Sequence, residues 1–299
     1  MTTNQLLIPK SKLWMAAIKP PMYSVAIMPI WVGSAVAFAD TNNFNGVIFA
    51  VFMTAAIFIL AWENISNDVF DSETGIDKNK HHSLVNLTGS KQLMFWLGNL
   101  FLVLGLLGIL AIAFLQTDPM VIGLILLCCF LGYMYQGPPF RLGYQGLGEF
   151  LCFFAFGPVG MSAVYYSQTQ TWSITNLAAS VIVGIVTSLI LFCSHFHQVE
   201  DDIAAGKRSP IVRLGTAKGA KVLVWFTAII YPFILLFVVL EFFPVWTLLS
   251  FFSLIFAFKL CRHVLANHHL PDQVSNCKFI AVAVQFWSCL LFGLGFILG

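Results

Sequence analysis

Charged residues are scarce in this chain. Asp, Glu, Lys and Arg together make up 9% of its 299 residues, whereas hydrophobic residues make up 59% and the mean hydropathy is +0.87. A water-soluble domain carries about 25% charged residues, so the composition excludes an ordinary soluble fold. The net charge of +2 leaves no basic surplus for a nucleic-acid surface, and no nucleic-acid partner is expected.

Two other patterns are missing. The alternation of apolar and polar residues over strands of about ten residues, typical of a transmembrane β-barrel, does not recur. The seven cysteines contain no CxxC pair, so they are interpreted as core-filling side chains rather than as metal ligands or disulfides. Both absences favour a helical membrane protein without a cysteine-based site.

Apolar runs of about 20 residues, the length that crosses a bilayer, are abundant instead. Only a helix satisfies its own backbone hydrogen bonds within one such segment. We therefore predict an all-α integral membrane protein, a single multi-pass domain over 1–299 with about nine transmembrane helices in contact with the lipid bilayer. The predicted spans are 21–39, 46–63, 93–115, 119–136, 147–167, 175–197, 221–240, 243–260 and 279–298.

The basic residues all fall on one side of these nine spans. The other side carries only Asp40, Asp118 and Glu241. The positive-inside rule therefore places the N-terminus and the even-numbered loops in the cytoplasm or its organellar equivalent. The last three spans carry few charges and are expected to be structural or to face lipid.

The stretch 61–91 concentrates acidic residues directly after the second span. On a continuing helix, Asn64, Asp68 and Asp71 fall within an arc of about 60° and present one amide and two carboxylates on a single face. A lone acidic pair at a helix end is usually a topological cap in contact with water. A second cluster would change that interpretation.

Such a cluster follows the sixth span, where Gln198 and Asp202 repeat the offset of four residues and Asp201 lies beside them. The recurrence indicates two four-helix units, approximately 14–146 and 147–260, plus the helix 279–298. We expect these units to bring both clusters together across a central cavity.

Carboxylate and amide oxygens are hard ligands that suit Mg²⁺, which is often shared with substrate phosphates. We predict Mg²⁺ as cofactor, held by the two clusters on either side of a diphosphate. Basic residues of the same side would neutralise its remaining charge. The candidates are Lys19, Lys78, Lys80, Lys91, Arg141 and Lys207.

Four further side chains are candidates for lining the substrate cavity. Tyr133 and Tyr135 could stabilise an allylic cation through their ring faces, or they could be interfacial anchors. Glu149 could contact substrate or only stabilise the start of the fifth span. His195 lies one turn before Gln198 and could touch substrate.

Several of these motifs resemble the UbiA superfamily of intramembrane prenyltransferases, and its 1,4-dihydroxy-2-naphthoate prenyltransferase branch in particular. The segment NDVFD at 67–71 is similar to the first motif of that superfamily, and HFHQVEDD at 195–202 to the second. The segment QGPPFRLGYQGLGE at 136–149 is similar to phytyl-transferring members of the branch. Two departures are Gln198, where many relatives have Asp, and His82-Ser83, where an Arg-Pro pair is common.

The resemblance implies Mg²⁺-dependent transfer of a prenyl group, phytyl in this branch, from prenyl diphosphate to 1,4-dihydroxy-2-naphthoate with loss of CO2. This is a step of phylloquinone or menaquinone biosynthesis, on the cell inner membrane or the thylakoid. Asp68, Asp71 and Asp202 are the implied catalytic residues. The alternatives are another aromatic acceptor, such as homogentisate or 4-hydroxybenzoate, and a cation transporter. Basic residues lie in the same loops as the acidic residues, so a diphosphate is favoured over a free cation as the ligand.

Overall fold

The computed structural model describes residues 10–76 and 83–299, and this part of the chain is helical without any strand. The first helices are α1 (Lys10–Ile18), α2 (Ser24–Thr41), α3 (Gly46–Thr74), α4 (Leu84–Thr88), α5 (Lys91–Gln116), α6 (Met120–Gln136), α7 (Gly148–Phe154) and α8 (Gly160–Thr169). The remainder are α9 (Ile174–Ser194), α10 (Val199–Ala204), α11 (Pro210–Leu214), α12 (Thr216–Ala228), α13 (Ile230–Val239), α14 (Leu254–Asn267), α15 (Pro271–Val274) and α16 (Cys277–Leu298).

Eight helical stretches in the described part of the chain are long and apolar enough to cross a membrane, and α6 is a shorter apolar helix of 17 residues. Each of the nine predicted spans therefore coincides with a helix. The prediction of an all-α membrane protein with about nine membrane helices is confirmed. The division into two four-helix units plus one helix stays a prediction.

Helix α3 carries the first acidic cluster. The side chain of Asn45 accepts the free N–H groups of Val47 and Ile48 at its start, and Gly75, at a φ of 76°, ends it in the left-handed conformation. The helix runs 29 residues, so the predicted span 46–63 stops eleven residues short of its end. The charges that interrupt the apolar run do not interrupt the helix, and Asn64, Asp68 and Asp71 share one helical face as expected.

The fifth span is broken at Gly157-Pro158. A π-helical turn, Ala155–Val159, joins α7 to α8, and Gly157 has φ −95° and ψ −107°, outside the helical range. A Cβ on Gly157 would lie 2.7 Å from the carbonyl oxygen of Ser180 and 2.9 Å from Cα of Gly184. The break and the missing side chain together let this span lie directly against α9.

Helix α16 lies inside the bundle, which fits the structural alternative of the two expected for the last three spans. It packs against α2, α9 and the 3₁₀ segment Val245–Ser253. Gln285 on α16 donates a hydrogen bond to the carbonyl of Ser24 (3.1 Å), and Trp31 donates one to the carbonyl of Leu290 (3.1 Å). Charge count alone does not distinguish the two alternatives, because small and apolar residues serve a buried interface as well as a lipid-facing one.

Helices α12 and α14 fit the lipid-facing alternative. They expose large apolar side chains such as Trp225 and Phe258, which is the surface expected toward hydrocarbon. The bundle therefore has its packed centre around α2, α9 and α16.

Candidate active site

One large cavity, with a volume of about 420 Å³, opens at the end of the bundle where α3 ends and α10 lies. Both predicted clusters contribute to its wall, so the expected meeting of the two is present in the fold. Its polar lining includes Lys19, Asn64, Asn67, Asp68, Asp71, Gln198, Asp201, Lys207 and Lys278. The cavity therefore sets acids and amides beside lysines.

The carboxylates of the first cluster are buried, Asp68 at 1% and Asp71 at 8% exposure. Oδ2 of Asp68 accepts a hydrogen bond from the backbone N–H of Leu84 (2.9 Å), and Oδ1 lies 4.0 Å from Nζ of Lys19. Leu84 begins α4, so the chain that follows the first motif returns to it. Asp68 is thus anchored from the side of α4 while it faces the cavity.

Tyr144 holds the other carboxylate of this cluster. Its hydroxyl donates a hydrogen bond to Oδ1 of Asp71 (3.0 Å) and lies 2.6 Å from the hydroxyl of Thr74. Burial, together with the neighbouring Asp71 carboxylate, raises the pKa of the Tyr144 hydroxyl, so it stays a donor. Sequence reasoning missed Tyr144 because nothing in its loop marks it for this contact.

The same tyrosine also contacts two basic residues that follow the second cluster. Its carbonyl accepts the N–H of Arg208 (2.7 Å), and Nζ of Lys207 lies 5.7 Å from the centre of its ring. This is within the range of a cation–π contact. The loop 137–147 therefore connects the two motifs.

The second cluster does not sit on one continuous helix. Helix α9 ends at Ser194, a 3₁₀ turn follows over His195–His197, and α10 begins after Gln198. As a result Asp201 lines the cavity, whereas Asp202 is fully buried outside its lining. The prediction assumed a straight helix, on which an offset of four residues would place Gln198 and Asp202 side by side on the cavity. The turn prevents that arrangement.

Asp202 instead lies at the centre of a buried charge network. Its carboxylate is 3.4 Å from Nδ1 of His195 and 3.5 Å from Nζ of Lys207, and Nε2 of His195 is 3.3 Å from Oε1 of Glu149. Burial alone would raise the pKa of Asp202, but His195 and Lys207 outweigh burial and hold this pKa below its ordinary value. The ionised Asp202 fixes Lys207, which does line the cavity.

The predicted basic residues divide into separate groups. Lys19 and Lys207 line the cavity. Lys91 and Arg141 lie outside the lining and both bind the carboxylate of Glu73 at 2.8 Å. Lys78 and Lys80 lie outside the described residues.

The four other candidates divide in the same way. Tyr135 lines the cavity, and its ring fits because Gly148 has no side chain: a Cβ there would lie 2.5 Å from Cε2 of Tyr135. Tyr133 donates its hydroxyl proton to the carbonyl of Pro138 (2.6 Å), outside the lining. Glu149 and His195 belong to the network around Asp202.

The cavity becomes apolar with depth. A smaller chamber of about 80 Å³ adjoins it, and five residues line both spaces: Leu60, Glu63, Gly132, Ala155 and Phe156. A ligand with an anionic head and an apolar body matches this gradient. Sequence reasoning assigned no functional role to Glu63 or Lys278, which both line the cavity.

The donor set suits a hard cation. Within residues 10–76 and 83–299 no three His, Cys, Asp or Glu side chains form a ready-made metal centre. Mg²⁺ does not require one, because it keeps several waters and is bound through one or two carboxylates plus substrate phosphates. Asn64, Asp68, Asp71, Gln198 and Asp201 line the cavity with side-chain oxygens of this kind.

This fold and this cavity define a class of multi-pass helical membrane proteins with a cavity that is polar at its mouth and apolar at depth. The chain belongs to the UbiA prenyltransferase family, whose sequence model matches residues 26–295. The resemblance inferred from the motifs is thereby confirmed.

Three relatives are named as prenyl-group or phytyl-group transferases that act on naphthoquinone or naphthoate acceptors. The chain is 53% identical to a 2-carboxy-1,4-naphthoquinone phytyltransferase of Synechocystis, over 99% of this chain and 98% of the relative. It is 40% identical to the chloroplastic protein of that name from Arabidopsis thaliana, over 93% and 75%. It is 25% identical to a 1,4-dihydroxy-2-naphthoate octaprenyltransferase of Haemophilus influenzae, over the full length of both.

Solved structures support the fold. The structure of a UbiA homologue from Aeropyrum pernix K1 superposes with a TM-score of 0.69 at 13% identity, over 94% of this chain and 98% of that one. A UbiA homologue from Archaeoglobus fulgidus, solved with GPP and Mg²⁺ bound, gives 0.58 at 14% identity, over 94% and 99%. At such identities the likeness concerns the fold alone.

Proposed function

We propose that this protein transfers a phytyl group from phytyl diphosphate to 1,4-dihydroxy-2-naphthoate with loss of CO2, in phylloquinone or menaquinone biosynthesis. The observation that carries the proposal is the 53% identity to a naphthoquinone phytyltransferase over nearly the whole of both chains. The cavity supports it, because its mouth suits a diphosphate and its depth suits a hydrocarbon chain.

Asn64, Asp68, Asp71, Gln198 and Asp201 would hold Mg²⁺. The bound ion would supply the positive charge that binds the diphosphate and stabilises it as a leaving group. A UbiA homologue solved with GPP and Mg²⁺ supports this cofactor.

The lysines of the mouth complement that charge. Lys19 and Lys207 line the cavity, and Lys207 is held by the buried Asp202 at 3.5 Å. We assign Asp202, predicted above as a catalytic and metal-binding residue, to the orientation of this lysine. Lys91 and Arg141 are assigned to the surface contact with Glu73.

The deeper part would take the prenyl chain and the acceptor ring. Leu60, Ala155 and Phe156 line both chambers and give the chain an apolar path. Tyr135 lines the main cavity, where the π-electrons of its ring would stabilise the allylic cation left by the departing diphosphate. Exclusion of water from this region would protect that cation.

The charge distribution supports an orientation with the N-terminus and the cavity mouth on the cytoplasmic side. The protein would then act as a multi-pass protein of the inner or thylakoid membrane. Both diphosphate and naphthoate are anions that would enter from the aqueous side.

The test is an assay of the purified protein in detergent with phytyl diphosphate and dihydroxynaphthoate, with and without Mg²⁺. We expect a prenylated naphthoquinol by mass spectrometry only when Mg²⁺ is present. Parallel reactions with homogentisate and 4-hydroxybenzoate test the acceptor. Absence of any prenylated naphthoquinol contradicts the substrate assignment, and turnover that survives chelation contradicts the metal assignment.

A further inference from the structure

The apolar chamber continues the main cavity along α3 and away from the acidic clusters. Along this path the lining residues of α3 include five that are four positions apart: Asp68, Asn64, Leu60, Ala56 and Phe52. The first two line the main cavity, Leu60 lines both spaces, and the last two line the chamber. Residues at this spacing form one ridge of a helix surface, and α3 is unbroken through all five. The two spaces therefore form one groove that begins at the acids and reaches Phe52.

Phe52 lies at the deep end of this groove. Three other helices line the chamber, and the lining residue of each that is farthest from the acidic clusters is Ile30 on α2, Ile125 on α6 and Val164 on α8. These three side chains and Phe52 are between 2% and 6% exposed, and all four belong to one packed hydrophobic cluster. Together they form a floor to which each of the four helices contributes one side chain.

Behind this floor the helices pack directly against one another. Gly33 follows Ile30 by about one turn of α2, and a Cβ on Gly33 would lie 3.0 Å from Cγ1 of Val164. Farther on, the hydroxyl of Tyr166 donates a hydrogen bond to Oδ2 of Asp118 (2.6 Å) and so joins α8 to the loop between α5 and α6. A prenyl chain that went beyond the floor would have to separate these helices. The groove is therefore closed at its deep end.

The depth of the groove matches one length of prenyl chain. Phe52 and Asn64 are twelve residues apart on α3, which is about 18 Å along the helix axis at 1.5 Å per residue. An extended chain advances about 1.2 Å per bond, so an isoprene unit with four main-chain bonds spans about 5 Å. A phytyl group has four such units and needs about 20 Å, whereas an octaprenyl group has eight and needs about 40 Å. A slightly bent phytyl chain fits between Asn64 and Phe52, and an octaprenyl chain is about twice too long.

Resting on the function proposed above, we infer that Phe52 ends a closed prenyl groove and thereby limits the donor to four isoprene units. The ring of Phe52 meets only the last unit of the chain. It therefore selects the length of the donor and not the saturation of its double bonds, so a phytyl and a geranylgeranyl chain meet the same limit.

The test measures the binding of prenyl diphosphates of four, five and eight units, in detergent with Mg²⁺, to the wild type and to Phe52→Ala. The ring of Phe52 is about as long as one isoprene unit, so its removal makes room for one more unit. We expect the Kd of the five-unit donor to fall about tenfold relative to that of the four-unit donor, the scale of a small group in an apolar pocket. The eight-unit donor should gain little. Comparison of variant and wild type with the same donor cancels the partition of that donor into the micelle.

Phe58→Ala is the matched control, because it makes the same change on the same helix. The ring of Phe58 packs against Phe101, with the ring centres 5.8 Å apart, and lies outside the lining of both spaces. The chain-length preference of this variant should be that of the wild type.

Ala56→Leu tests the opposite change. Ala56 lines the chamber about one turn nearer the acids than Phe52 does, so a larger side chain there shortens the groove. We expect the four-unit donor to bind about tenfold more weakly relative to a three-unit donor. Because this variant fills space instead of emptying it, it decides the question if Phe52→Ala fails to fold.

Binding of the diphosphates needs no acceptor, which separates this inference from the proposed function. Unchanged Kd ratios in a folded Phe52→Ala protein overturn the role of Phe52, even when transfer is normal. An eight-unit donor that gains as much as the five-unit donor also overturns it, because the chain would then leave between the helices into the bilayer. Ratios that shift as expected in a protein that forms no prenylated naphthoquinol support Phe52 and contradict the proposed reaction instead.

Discussion

The hydroxyl of Tyr144 donates a hydrogen bond to Oδ1 of Asp71 across 3.0 Å. These residues come from different motifs, 73 positions apart, and the contact fixes a carboxylate of the first cluster from the loop that also carries the backbone contact to Arg208. The geometry of the acid face therefore depends on a residue outside both acidic clusters.

Replacement of Tyr144 by Phe tests this dependence. The variant loses the hydrogen bond to Asp71 but keeps the ring beside Lys207. A hydrogen bond to a charged group is worth about 1.5–3 kcal/mol, so we expect roughly a tenfold or larger increase in the Mg²⁺ concentration needed for half-maximal prenyl transfer. This concentration is measured by titrating the transfer activity with Mg²⁺ at a saturating concentration of the prenyl donor.

Thr74→Val is the matched control for Tyr144→Phe. It removes the hydroxyl that lies 2.6 Å from the Tyr144 oxygen but leaves the hydrogen bond to Asp71 in place. Its Mg²⁺ requirement should stay close to that of the wild type. Equal shifts in the two variants would show that the loop as a whole, and not the Asp71 contact, sets the metal requirement.

The basic residues should differ in importance although the sequence presents them alike. Lys207→Met removes a lysine of the cavity lining, and we expect the KM for the donor to rise about tenfold or more, because charged hydrogen bonds to phosphate are strong. Lys91→Met removes a half-exposed partner of Glu73, and an exposed ion pair contributes about 0–1 kcal/mol. Steady-state kinetics on the two variants should show a large change in the first and little in the second. A comparable rise in the KM for the donor in Lys91→Met would mean that the Glu73 contact belongs to the active site.

Sequence reasoning was most successful where structure is local. The shared face of Asn64, Asp68 and Asp71 follows from the period of a helix, and α3 is an unbroken helix through all three residues. The turn at His195–His197 changes the direction of the second cluster, and no propensity rule predicts that a turn interrupts such a segment. This is why Asp201, and not Asp202, lines the cavity.

Long-range contacts account for the other differences. Lys91 and Arg141 are basic and lie on the same predicted side of the membrane as the acidic clusters. Both bind Glu73 instead of lining the cavity. Tyr144 could not be recognised because its partner is far away in sequence. Positions that depend on which helices become neighbours are set by packing, and a single sequence carries little record of that.

Asp201 and Asp202 provide a matched pair of adjacent carboxylates with different expected effects. Asp201→Asn should lower prenyl transfer and change thermal stability less than Asp202→Asn does, because Asp201 lines the cavity and Asp202 is fully buried outside its lining. Asp202→Asn should also lower the midpoint of thermal unfolding, since loss of one partner from a buried ion pair costs about 3–5 kcal/mol. Thermal unfolding in detergent and the transfer assay measure the two effects. If Asp202→Asn reduced activity at full stability, Asp202 would belong with the metal-facing acids.

Gly157 tests the helix break that shapes the deeper cavity. In Gly157→Ala the new methyl group would lie 2.7 Å from the carbonyl oxygen of Ser180 and 2.9 Å from Cα of Gly184, closer than carbon atoms approach without movement of the backbone. Overpacking of this kind costs about 1–3 kcal/mol, so the unfolding temperature should fall. Gly123→Ala is the control, because a Cβ there has nothing within 4 Å and alanine is the better helix former. Since the π turn carries Ala155 and Phe156 of the cavity wall, Gly157→Ala should also raise the KM for the prenyl donor. Unchanged stability and KM in that variant would mean that α9 can move away, and that the close approach of the two helices is not needed to form the chamber.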